Sequence, residues 1–67
     1  DSYELTSPLF DRITLSLSNG KKLKIRTSGR KKNTDPIKAI HFNGNLLDGF
    51  QISHLELLKG GELLFEY

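Results

Sequence analysis

From Ile13 to Arg26 the chain alternates apolar and polar residues around an Asn-Gly pair: Ile13-Thr14-Leu15-Ser16-Leu17-Ser18-Asn19-Gly20-Lys21-Lys22-Leu23-Lys24-Ile25-Arg26. Apolar residues at 13, 15 and 17, then at 23 and 25, have the period of two of a half-buried strand. Asn19-Gly20 predicts a hairpin turn. Loop length decides the register. A two-residue loop would set Leu15 opposite Lys24 and mix apolar and charged side chains on one face. A three-residue loop, Ser18-Asn19-Gly20, pairs Leu15 with Leu23 and Ile13 with Ile25 and puts Gly20 at a left-handed position. We therefore expect the three-residue loop. Ile13, Leu15, Leu17, Leu23 and Ile25 then share the core face, while Thr14, Ser16, Lys22, Lys24 and Arg26 face water.

Before this hairpin, a short strand is expected near Tyr3–Leu5. After it, residues 28–36 form a polar, Gly- and Pro-punctuated stretch that predicts a mobile loop. Ile37 to Phe42 predicts a further strand with an irregular period, for which a bulge is one account. Asn43-Gly44 predicts a second turn, followed by Leu46-Leu47. Ser53 and Glu56 match the S-x-x-E capping box of a helix start, and Ile52 and Leu57 sit where a hydrophobic staple joins them. Gly60 stands where a left-handed residue stops the turn. A helical turn over about 53–59 follows. Glu62 to Tyr67 alternates again, with Leu63, Phe65 and Tyr67 on one side. There is no internal repeat. The fold class expected is all-β: a small antiparallel β-sandwich with one short helical turn.

Sixty-seven residues form one domain at most, and below roughly 70–80 residues one apolar core seldom supplies more than about 3–5 kcal/mol without outside support. There are no cysteines, so neither disulfides nor thiolate metal sites are available. His41 and His54 are too few and too far apart in sequence to suggest a metal cluster. No apolar run approaches the roughly 20 residues of a membrane helix. The chain has no initiating Met and runs straight into a patterned segment, so we expect a piece cut from a longer protein, and the lack of a leader says nothing about the compartment. Net charge is +2 but unevenly placed: the stretch 21–32 carries Lys21, Lys22, Lys24, Arg26, Arg30, Lys31 and Lys32 with no acid among them. Such a block suits phosphate or an acidic surface. A solvated sheet face running into a solvated loop also accounts for it, and is the reading we favour.

Asp1, Glu4, Asp11, Asp35, Asp48, Glu56, Glu62 and Glu66 fall at strand ends, turns and a helix cap rather than as an acid–base pair. Ser53 beside His54 has the residue types of a nucleophile and base, but neighbours at a helix start point apart and the cap claims Ser53. A sugar-binding module would need flat exposed aromatics. The chain has no Trp, and most of Tyr3, Phe10, Phe42, Phe50, Phe65 and Tyr67 are needed for the core. Nucleic-acid binding would need basic residues interleaved with stacking aromatics, whereas the basic hairpin alternates with Thr and Ser. We therefore expect no catalytic, cofactor or metal residue in this chain, and no nucleic-acid partner.

Five segments go beyond composition: Tyr3-Glu4-Leu5-Thr6-Ser7-Pro8-Leu9-Phe10-Asp11; Asn19-Gly20-Lys21-Lys22; Phe42-Asn43-Gly44; Ile52-Ser53-His54; and Lys59-Gly60-Gly61-Glu62-Leu63. In this order and spacing the chain resembles the extreme C-terminus of the glycoside hydrolase family 92 α-mannosidases. Thr6 stands where that family usually has Gly, Phe42 replaces a Leu, and Asn45-Leu46 replaces Lys-Pro; the turns survive these changes. The resemblance implies that residues 1–67 are a single, non-catalytic C-terminal β-domain of a much larger enzyme. That enzyme would be an exo-acting, inverting, calcium-dependent α-mannosidase, bacterial and periplasmic or extracellular. Its acid, base and calcium ligands would lie upstream, and the partner of this domain would be the α/α barrel of the same enzyme. Glycan would be met only through that enzyme. An independent carbohydrate- or polyanion-binding β-module is the alternative.

Overall fold

The computed structural model describes residues 2–8 and 10–67, with Ser2 and Tyr3 described by backbone alone. Expectations about Asp1, Leu9 and the Tyr3 ring lie outside the described residues. The elements are β1 (Ser2–Glu4), β2 (Arg12–Ser16), β3 (Lys22–Ser28), β4 (Ala39–Phe42), β5 (Asn45–Leu46), β6 (Gln51–Ser53), α1 (His54–Leu58) and β7 (Gly61–Glu66). The molecule is all-β with one helical turn. Five strands form one sheet in the order β2-β3-β7-β4-β5, and β1 with β6 forms a separate two-stranded ribbon.

The first hairpin has the expected register, with Ile13 opposite Ile25 and Leu15 opposite Leu23. Leu17 N–H donates to Lys21 O and Gly20 N–H to Leu17 O, which closes a loop of residues 18, 19 and 20. Gly20 has φ +85°, the conformation such a loop imposes on its last residue and one that side chains resist. At the second turn Asn43 and Gly44 both have positive φ (52° and 85°), the signature of a two-residue hairpin turn. It brings Asn45 opposite Phe42.

Besides leaving Leu15, expected on the core face, 41% exposed, the structure departs from expectation at three places. Among the described residues strands pair antiparallel except β3 and β7, which run parallel, Ile25 beside Leu63 and Thr27 beside Phe65. The chain between them, residues 29–60, is long enough to return β7 to the same end of the sheet, as parallel pairing requires. Next, β4 begins at Ala39 and pairs with β7 in an unbroken register from Ala39–Glu66 to Phe42–Leu63. Ile37 lies before the strand, so the irregular period needs no bulge. Third, the capping box is half formed. Ser53 Oγ accepts from the Glu56 N–H at 3.1 Å, but Glu56 Oε1 takes Lys59 Nζ at 3.0 Å. The turn still ends as expected, with Gly60 at φ +72° after the C-cap Lys59.

Side chains of partnered residues in adjacent strands lie on the same face. Leu23, Ile40, Phe42, Leu63 and Phe65 therefore gather on one side of the large sheet, and Ile52 of β6 joins them in one buried cluster. Leu5, Leu17, Ile25, Ile37, Leu47, Leu57 and Tyr67 pack around it. Leu57 thus reaches the cluster that holds Ile52, as a staple would. Among the described residues no helix is long and apolar enough to cross a membrane.

Candidate functional site

The opposite face of the large sheet is uncovered by the ribbon. One row crosses all five strands: Arg12 beside Arg26, Arg26 beside Leu64, Leu64 beside His41, and His41 beside Leu46. The next row holds Thr14, Lys24 and Glu62. Its β2–β3–β7 end is an open depression of about 350 Å³ lined by Arg12, Thr14, Lys24, Arg26 and Glu62. Arg26 Nη1 lies 3.3 Å from Glu62 Oε2, both side chains well exposed, so solvent screens the pair and it adds little stability. Further along, His41 Nε2 lies 2.7 Å from Glu66 Oε1.

The rest of the basic stretch goes elsewhere. Lys21 flanks the hairpin loop, its carbonyl accepting from the Leu17 N–H. Lys31 and Lys32 give their backbone N–H groups to Asp35 Oδ2 at 2.8 and 3.0 Å, and those two bonds, Lys31's first, hold the Asp35 carboxyl below the usual range. Arg30 is not a solvated loop cation. Its side chain is 6% exposed against 74% for Asp11. Nε and Nη2 donate to Asp11 Oδ1 at 3.0 and 2.6 Å, and Nη1 donates to the Pro8 carbonyl. The guanidinium sits 5.4 Å over the Tyr67 ring, within cation–π range. Thr27 Oγ1 also donates to Asp11 Oδ1, at 2.9 Å. Arg30 first and Thr27 second lower the Asp11 pKa, and Asp11 in turn raises that of Arg30. This tie fixes the entry to β2 and the last residue of the chain against the loop after β3. No local sequence signal marks it, because Arg30 and Asp11 lie nineteen positions apart.

Asp11, Asp35, Glu56, Glu62 and Glu66 each bond or pair with a structural neighbour, and Glu4 and Asp48 are exposed. Ser53 Oγ serves the helix cap, with His54 exposed at the first helical position. No three His, Asp or Glu groups among the described residues could hold a metal ion together. Phe10 and Phe50 are exposed, alongside Leu15, Leu46 and Leu55.

Fold and surface together define a small all-β module whose described carboxylates serve mainly as structural partners. Residues 1–67 match the glycosyl hydrolase family 92 catalytic domain, and the chain belongs to that family. It is similar to the family GH92 inverting mannosidase BT2199 from Bacteroides thetaiotaomicron, with 32% identity and a TM-score of 0.79. It shares the fold of the family GH92 alpha-mannosidase BT3965 from the same organism, with 24% identity and a TM-score of 0.83. The latter is also known in complex with mannoimidazole. Each match covers 97% of this chain but only 9% of the other. No curated protein matches the chain.

Proposed function

We propose that this chain is a non-catalytic structural segment, C-terminal in its enzyme, of an exo-acting α-mannosidase of family 92. The observation that carries the reading is the match over 97% of this chain to about a tenth of a mannosidase. The engagement of Asp11, Asp35, Glu56, Glu62 and Glu66 by structural neighbours supports it. The five-stranded sheet and the β1–β6 ribbon act as the two layers of a small sandwich that braces the rest of the enzyme, the α/α barrel. Calcium and the acid and base of hydrolysis belong to that remainder; no residue here is assigned to them. Among the described residues the buried apolar core numbers only six, and packing against a larger body would stabilise it.

The test is hydrolysis of an aryl α-mannoside. The 67 residues alone should give none. In an enzyme containing the segment, changing Glu62, Glu66 or His54 to Gln should leave kcat within about twofold, since catalytic acid–base groups contribute about a hundredfold or more. Turnover by the isolated chain that disappears with any of these changes would overturn the proposal.

A further inference from the structure

We propose that the depression on the outer face of β2, β3 and β7 binds a phosphate-type oxyanion, with Arg12, Lys24 and Arg26 as the cationic partners and Thr14 as a hydroxyl donor. The inference rests on this chain's own residues and stands whether or not the segment braces a mannosidase.

Three observations converge. Arg12 and Arg26 are direct cross-strand partners, an arrangement of like charges that weakens a sheet unless something neutralises it. Lys24, partnered with Thr14, sits on the adjacent row of the same face. Against these three cations the depression holds one carboxylate, Glu62, which lies 3.3 Å from Arg26. Among the described residues neither Arg12 nor Lys24 is in an ion pair. The chain thus concentrates positive charge where β-strand spacing brings the residues together, and leaves two of the cations uncompensated. The depression, about 350 Å³ and open to solvent, admits a tetrahedral oxyanion with part of its hydration shell. Guanidinium groups present paired donors that match phosphate geometry, and Lys24 adds a compact charge beside them. Glu62 opposes the ligand. An incoming anion competes with it for Arg26, and the open, screened site makes each ionic contact weak. Free phosphate and a phosphate monoester share this chemistry.

The experiment takes an enzyme that contains the segment, isotope-labelled over these 67 residues alone, and titrates it with inorganic phosphate, and separately with phenyl phosphate, at constant ionic strength held with chloride. Backbone amide shifts are followed by NMR. Saturable shifts centred on residues 12, 14, 24, 26 and 62 are expected. Arg12→Gln and Arg26→Gln should each weaken binding about two- to fivefold, the range of an exposed ion pair. Glu62→Gln should tighten it by a similar factor. Lys38→Gln, an equal change of net charge away from the depression, should leave it unchanged. Tighter binding of phenyl phosphate than of phosphate assigns the site to an esterified ligand, and the reverse order to the free ion. Shifts no larger than those chloride produces, or equal weakening by Lys38→Gln and Arg12→Gln, would show only a diffuse field and overturn the site. Glu62→Gln distinguishes loss of fold from loss of charge, because it adds affinity while the well-dispersed spectrum persists.

Discussion

The Asn43 side chain is wedged against Gly61: its Oδ1 accepts from the Glu62 N–H at 2.9 Å and its Nδ2 donates to the Gly60 carbonyl at 3.2 Å. A Cβ at Gly61, where φ is +118°, would overlap the Asn43 amide. The Asn-Gly turn after β4 and the Gly-Gly entry to β7 are therefore one structural unit. Gly61→Ala should lower stability by about 2–4 kcal/mol, combining backbone strain with loss of one or both amide hydrogen bonds. Asn43→Gly keeps the left-handed backbone and removes the obstructing amide. In that background Gly61→Ala should cost about 1–2 kcal/mol less, a coupling that a double-mutant cycle in urea measures directly. Additive losses would mean the two residues do not share a unit.

The same physics separates Gly20 from Gly29. Both have positive φ, but a Cβ at Gly20 meets open space, whereas one at Gly29 would lie 2.7 Å from the Tyr67 carbonyl oxygen. Gly20→Ala should cost about 1–2 kcal/mol, the strain of a left-handed alanine alone. Gly29→Ala should cost more, since Tyr67 N–H bonds Ser28 O at 2.9 Å and the chain end must move. Equal urea midpoints for the two variants would contradict the contrast.

Much of the fold was legible because local patterns closed on themselves. Alternation around Asn19-Gly20 set the first hairpin to the residue, since only one register puts Leu15 against Leu23. Ser53 and Gly60 bracketed the helical turn through their own backbone preferences. The parallel partnership of β3 and β7 was not legible, because period-two alternation says which face is buried and nothing about which distant strand lies alongside. Gln51–Ser53 was too short to show a strand period of its own, and its pairing with Ser2–Glu4 is fixed by tertiary contact. The basic stretch was legible as charge but not as geometry. Lys22, Lys24 and Arg26 follow from strand alternation, whereas the turning-in of Arg30 beneath Pro8 and Asp11 depends on the folded positions of all three.

Acid should weaken the fold through Asp11 and Asp35. Arg30 and Thr27 lower the pKa of the first, and the Lys31 and Lys32 N–H groups lower that of the second. A carboxyl with a depressed folded pKa contributes stability above its unfolded value, roughly 3.9, and loses that contribution as pH falls through the folded value. Urea midpoints should therefore be flat near neutrality and fall below about pH 4. Asp11→Asn should be less stable than the parent at pH 7 and show a shallower acid decline, the two curves converging at low pH. Parallel curves would mean the Arg30 tie is not formed in solution.

The helical turn is where a structural and a chemical role for Ser53 and His54 give different numbers. Ser53 Oγ accepts from the Glu56 N–H, so Ser53→Ala should lower stability by about 0.5–2 kcal/mol, with Ser53→Asp or Ser53→Gly milder. Glu56→Gln should matter less than a full capping box would imply, because the Glu56 carboxylate already faces Lys59 at the exposed surface, where such pairs contribute about 0.3–0.5 kcal/mol. The chemical alternative requires Ser53 Oγ to leave the cap and approach His54 during turnover. In an enzyme that contains the segment, it makes Ser53→Ala and His54→Gln lower kcat by about a hundredfold or more at an unchanged melting temperature. The cap makes the opposite pair of results: Ser53→Ala lowers the melting temperature, and kcat at a temperature where both proteins are folded stays within about twofold, far short of a lost acid–base group. The hydroxyl is held 3.1 Å from a backbone N–H that has no other partner in the first turn of a helix. We therefore expect Ser53→Ala to move the melting temperature and leave the chemistry in place.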